Sequence, residues 1–307
     1  MFENVKGKKV LLPAILTMLT PTQEFDEPAQ RVLVRWLMAK GVHGLYVGGS
    51  TGEGPILSPD IRRRLIQTVV EEAAGRVPVI AYIGYADTAQ SVEMARFAQS
   101  AGADGVSAVP PYYYNHDFDA VYGYYRAISE SVTIPMVVYY IQNTRAMTTD
   151  ELRRLLGLPN VCGLKFTGSD HFAMQQAKLA APDKLIFSGR DEQCLSGLLM
   201  GADGLIGSTY NVFPEIYLSI IDAYTAGDLR AAEARMRAAN LAIGELLQGG
   251  RYLGSIKALL RLVGIEAPTM RSPMPAITEE QLAGLRTRLA DLKTLPELAG
   301  VEILQKA

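Results

Sequence analysis

The sequence predicts an α/β protein built as a (β/α)8 TIM barrel with a C-terminal three-helix extension. Three observations point there. Short apolar runs rich in β-branched residues recur eight times, and each is followed by an amphipathic segment. The runs are apolar throughout, as strands must be when helices cover one face and barrel side chains fill the other. Eight such units in roughly 210 residues also exceed the six or so strands of an open doubly wound sheet.

The strands are expected at 11–18, 44–47, 77–83, 105–109, 135–141, 161–166, 184–188 and 204–206. Helix starts are signalled between them by Ser58-Pro59, by Thr88, and by Thr148-Thr149 followed by Asp150 and Glu151. Three strands are introduced by similar phrases, Lys40-Gly41-Val42-His43-Gly44, Ala101-Gly102-Ala103-Asp104-Gly105 and Gly201-Ala202-Asp203-Gly204, in which a glycine closes a helix before the turn. After about Gly227 the pattern changes. Residues 228–248, 253–263 and 278–292 read as helices with no strand between them. The expected organisation is a barrel over 1–226 and a helical extension over 227–307.

Composition narrows the function. The chain has 307 residues, 49% of them hydrophobic and 20% charged, with a formal net charge of -2, so neither a nucleic acid nor an anionic membrane is an expected partner. The first nine residues are charged and lack the apolar core of a signal peptide, and no later run is long enough to span a bilayer, which gives a cytoplasmic expectation. Cys162 and Cys194 fit no disulfide framework and read as small buried hydrophobes. His43, His116 and His171 lack metal-ligand spacing, so no metal is expected.

The chemistry centres on Val161-Cys162-Gly163-Leu164-Lys165-Phe166-Thr167, a buried strand with a lysine near its end. Desolvation of an ammonium is costly and favours the neutral amine, a nucleophile toward ketones. The competing reading is a lysine that reaches past the strand end into water. Tyr139, at the end of the preceding strand, is expected to face the same cavity, because adjacent strands lie about 5 Å apart. After the second strand, Gly48-Gly49-Ser50-Thr51-Gly52-Glu53-Gly54 is either a glycine-rich turn or a nest able to hold a carboxylate. Pro110-Pro111-Tyr112-Tyr113-Tyr114-Asn115 follows the fourth strand. Amine, acid/base group and anion anchor at one barrel mouth fit a Schiff-base lyase acting on a 2-oxo acid.

In these motifs, and in Gly201-Ala202-Asp203-Gly204 through Ile206-Gly207-Ser208-Thr209, nearly the whole chain resembles the N-acetylneuraminate lyase and dihydrodipicolinate synthase family of class I aldolases. The resemblance implies a homotetramer of barrels, no metal, and no cofactor beyond a covalent Schiff base of pyruvate on Lys165. It implies Tyr139 as proton donor and acceptor, Ser50 and Thr51 as holders of the pyruvate carboxylate, and Tyr113 as a residue reaching a neighbouring subunit's site. Ser50, Ser208 and Gly189-Arg190-Asp191-Glu192 lean toward the sialic-acid branch, with Thr167, Gly189, Asp191, Glu192, Gly207 and Ser208 around a polyhydroxylated substrate. The implied activity is cleavage of N-acetylneuraminate to pyruvate and N-acetylmannosamine. The alternatives are dihydrodipicolinate synthesis, or aldol cleavage or dehydration of another 2-oxo acid such as 2-keto-3-deoxygluconate. A non-catalytic binding relative has no need of the retained amine. Tyr140, Gln142 and Arg190 depart from the family pattern, and Arg145 lies one residue from where synthases place a carboxylate-binding arginine.

Overall fold

The computed structural model describes residues 7–141, 146–267 and 269–307. Eight strands, β1 (Val10–Pro13), β2 (Leu45–Val47), β3 (Val79–Tyr82), β4 (Gly105–Ala108), β5 (Met136–Ile141), β6 (Val161–Thr167), β7 (Leu185–Ser188) and β8 (Gly204–Gly207), form one parallel sheet. β1 pairs with β8, and a parallel bridge between Ala14 and Tyr46 joins β1 to β2. The ring closes as the eight repeats predict. β1 is shorter than expected because Pro13 has no N–H to donate and the chain then changes partner: Ala14 N–H donates to Gly207, Ile15 N–H to Tyr46.

The barrel helices are α1 (Glu27–Ala39), α2 (Pro59–Ala73), α3 (Thr88–Ser100), α4 (Phe118–Ser131), α5 (Thr149–Leu156), α6 (His171–Ala180), α7 (Cys194–Leu199) and α8 (Pro214–Thr225). Ser58 caps α2, and Thr148 with Glu151 forms a capping box on α5, as the sequence signals require. At α3 the cap is Asp87 rather than Thr88, since its carboxylate accepts from the Gln90 N–H.

Strand side chains divide by alternation into two cores. Val10, Leu12, Tyr46, Ile80, Tyr82, Val137, Tyr139, Phe187 and Ile206 fill the barrel, whereas Leu11, Leu45, Val79, Val106, Val138, Leu164, Phe166 and Leu205 face the helices. One irregularity matters for the site. Met136 pairs with Val161 but Val137 pairs with Gly163, which leaves Cys162 as the extra residue of a bulge. Without it Tyr139 would stand opposite Leu164, a residue of the other face; with it Tyr139 stands opposite Lys165. Cys194 is buried as expected, but Cys162 is only half-buried, packed against the barrel core.

The three expected C-terminal helices are α9 (Leu229–Leu247), α10 (Tyr252–Leu259) and α11 (Glu279–Leu292), joined by a short α12 (Glu302–Gln305) whose length carries no periodicity. α9 lies along α8, and α10 reaches the barrel mouth through Lys257. Among the described residues no helix is long and apolar enough to cross a membrane, and no cluster of three His, Cys, Asp or Glu side chains could hold a metal ion.

Candidate active site

Lys165 sits near the C-terminal end of β6 at 4% exposure, so it does not reach into water. Its Nζ lies 4.0 Å from the centroid of the Tyr139 ring and 4.3 Å from that of Tyr46, which is fully buried on β2. The two rings meet edge to face at 6.1 Å. Among the described residues no carboxylate pairs with this lysine. Two aromatic faces therefore surround its amine, an environment that attracts a cation without offering a carboxylate to lock it. The Tyr46 hydroxyl donates to Ser107 Oγ at 3.1 Å, and burial, then the neighbouring Tyr139, push its pKa well above the ordinary phenol range, so Tyr46 stays neutral.

The glycine-rich turn after β2 folds over that same Tyr46 ring. A Cβ on Gly49 would come within 2.7 Å of Tyr46 Cε1, so only glycine allows the approach. Ser50 at the tip is exposed and Thr51 half-buried, so both stand where a ligand can reach them. Beneath them the turn is fixed: Thr17 Oγ1 donates to the Gly52 carbonyl at 2.6 Å, and Glu53 forms a buried 2.8 Å ion pair with Lys257 of α10. Tyr46 thus links the nest to Lys165.

The expected tail-binding residues gather at the ends of β6, β7 and β8. Thr167 points into the barrel, and its buried Oγ1 has no hydrogen-bond partner among the described residues. A Cβ on Gly189 would collide with that oxygen, and one on Gly207 would collide with Asp191 Oδ1, so both glycines make room for polar side chains. Asp191 is buried, and its Oδ2 accepts from Thr209 N–H and Oγ1, both at 2.7 Å, and from Ser208 Oγ at 3.2 Å. Burial raises its pKa, and the Thr209 hydrogen bonds oppose that rise. One face of this carboxylate therefore anchors the loop after β8. Glu192 is half-exposed and pairs with Arg190 at 3.0 Å.

Two further positions can be placed. Tyr113 is 88% exposed in the left-handed region at φ 87, beside an exposed Tyr114. Tyr140 points away from the cavity and stacks on Phe166 with centroids 4.7 Å apart. Gln142 and Arg145 lie outside the described residues. Sequence reasoning missed Tyr46, although alternation along β2 could have found it. It also missed Tyr252, whose hydroxyl lies 2.9 Å from Ser208 Oγ at the start of α10 and whose pKa burial raises. No pattern marks that residue.

A buried amine over two rings, a phenol in register with it and a glycine-rich nest at one barrel mouth are the parts of a class I aldolase, a carbon–carbon lyase. Comparison with known proteins agrees. Residues 8–292 match the Dihydrodipicolinate synthetase family, and the chain belongs to that family. It is 38% identical over 284 residues to N-acetylneuraminate lyase of Salmonella agona, covering 92% of this chain and 96% of that one. In structure it resembles N-acetylneuraminate lyase from Mycoplasma synoviae (TM-score 0.87, 35% identity, 93% and 98% of the two chains). It also resembles the sialic acid aldolase of Ruminococcus gnavus (TM-score 0.89, 31% identity, 93% and 98%).

Proposed function

We propose that this enzyme cleaves N-acetylneuraminate to pyruvate and N-acetylmannosamine through a Schiff base on Lys165. The observation that carries the reading is the buried Lys165 amine, which lies against Tyr139 without a carboxylate partner among the described residues. Identity to N-acetylneuraminate lyases favours this substrate within the family.

In the proposed cycle the neutral amine adds to the C2 ketone, the new C–N bond forms, and the carbonyl oxygen departs as water with one proton from the amine and one from Tyr139, leaving the iminium. The resulting phenolate takes the proton of the C4 hydroxyl. The C3–C4 bond then breaks, its electron pair passes into the iminium as an enamine, and the sugar leaves as an aldehyde. Tyr139 returns the proton to C3, and water hydrolyses the iminium to pyruvate and free lysine, the released proton going back to the Tyr139 phenolate. Ser50 and Thr51 hold the substrate carboxylate. Thr167, Asp191 Oδ1, Glu192 and Ser208 face the hydroxylated chain, with Gly189 and Gly207 leaving it room. No further cofactor enters this cycle.

We also infer a homotetramer, because an aromatic as exposed as Tyr113, held at a backbone angle unfavourable to it, fits a surface that another copy covers. Residues 1–226 would then form the catalytic barrel and 227–307 its helical extension. Two free cysteines accord with a cytoplasmic setting. The test is trapping with pyruvate and borohydride, which reduces an imine to a stable secondary amine. Mass should be added to the peptide carrying Lys165, and a panel of 2-oxo acids should show pyruvate release from N-acetylneuraminate. Label on another lysine sinks the mechanism. Condensation of pyruvate with aspartate semialdehyde, without cleavage of the sialic acid, would move the enzyme to the synthase branch.

A further inference from the structure

The turn that carries Ser50 and Thr51 is held from a distant part of the chain. Glu53, its last side chain, has 1% exposure and a left-handed backbone at φ 61, a conformation that costs a residue with a Cβ and persists only where its surroundings enforce it. Both its oxygens are engaged. Oε1 accepts from Lys257 Nζ of α10 at 2.8 Å, and Oε2 accepts from the Arg271 backbone N–H beyond that helix. The turn is also closed on itself, with Glu53 N–H donating to the Ser50 carbonyl at 3.1 Å and Gly54 N–H to the Gly49 carbonyl at 3.0 Å. Moving the Glu53 carboxylate therefore moves the backbone of residues 49–54. Lys257 is as buried as Glu53, so neither charge has water as an alternative partner.

We propose that Glu53 and Lys257 are positioning residues for the carboxylate nest, through which the C-terminal extension sets the affinity of the site for its 2-oxo acid. Neither residue touches substrate. Each acts on it through the backbone of Ser50 and Thr51, and Arg271 completes the clamp. The inference rests on the nest being the holder of the pyruvate carboxylate. A pair serving stability alone could be replaced by neutral side chains without changing how pyruvate binds.

The experiment is borohydride trapping at Lys165 over a range of pyruvate concentrations, in wild type, Glu53→Gln, Lys257→Met and the double variant Glu53→Gln/Lys257→Met. The single variants strand a buried charge or a polar group and are expected to lose stability. The double variant leaves no buried ion unpaired, so its urea midpoint should recover toward wild type. In that folded double variant the half-saturating pyruvate concentration should rise about tenfold while labelling at saturation persists, because the nest is displaced and the amine is not. A double variant that folds like wild type and half-saturates within about twofold of it overturns the positioning role. Absence of label from wild type removes the reading beneath the inference, a result separate from unchanged half-saturation with the label in place.

Discussion

Lys165 and Lys257 are both taken out of water, at 4% and 1% exposure, yet they are buried in opposite ways. Lys257 meets a carboxylate at 2.8 Å, and Glu53 balances part of the penalty that burial imposes on its charge: burial lowers its pKa, and the glutamate offsets only part of that drop. Lys165 meets two tyrosine rings and, among the described residues, no carboxylate. A lysine with a buried counter-ion is held as an ammonium, whose nitrogen has no free electron pair. Lys165 lies against ring faces and has no such counter-ion among the described residues. The counter-ion thus distinguishes a clamp from a nucleophile where burial alone does not.

The largest effect expected from this contrast is at Lys165. Lys165→Met should reduce pyruvate release by about three decades or more, since the imine has no other nitrogen to form on. Its urea midpoint should be unchanged or raised, because a methionine of similar shape replaces a buried polar group that has no counter-ion among the described residues. A fall in the midpoint comparable to that of a core truncation would show that the rings held the lysine for stability instead.

Lys257→Met should do the reverse. With the ammonium gone, Glu53 is left as an uncompensated buried charge, and stability should fall by about 3–5 kcal/mol in urea denaturation. Trapping at saturating pyruvate should survive wherever the protein stays folded. Loss of labelling together with full stability would break the comparison, because it would give the clamp the nucleophile's signature.

The two lysines were not equally legible in the sequence. Lys165 stood out because a charge inside an apolar strand is an exception to burial statistics, and strand alternation brought Tyr139 to the same cavity. The bulge at Cys162 that puts Tyr139 opposite Lys165 left no trace, since an extra residue in an apolar run looks like any other. Lys257 falls inside the expected helix 253–263, where nothing in the sequence sets it apart. Its partner lies 204 residues away, and no local pattern reports so distant a contact. The eight barrel strands were legible because each repeats a local signal, whereas the fit of the extension to the nest depends on packing. Asp191 was read only as a ligand of a hydroxylated substrate. Its hold on Thr209 depends on how the loop after β8 returns to β7, which residue types do not encode.

A third lysine extends the comparison to the surface and carries the smallest expected effect. Lys40 is half-buried between two carboxylates, Glu215 at 2.6 Å and Glu302 at 2.7 Å, and its ammonium lies over Trp36, the single tryptophan of the chain. Hydrogen bonds from Lys306, then Lys40, hold the Glu302 carboxyl down at about 2, and Trp36 Nε1 donates to it at 3.3 Å. A carboxyl whose folded pKa lies below its unfolded value stabilises the fold above the unfolded value and loses that contribution as pH falls toward the folded one. The clasp of α12 on α1 should therefore loosen as pH drops from about 4.5 to about 2. The energetic change is small, because the Glu302 side chain is 34% exposed and solvent screens it. Trp36 emission provides the readout. Wild type should show a fluorescence step in that window before global unfolding, and Glu302→Gln should show the acid-form emission already at neutral pH and no step. A step of equal size in both proteins would assign the transition to another carboxylate of the cluster, with Glu215 the next to substitute.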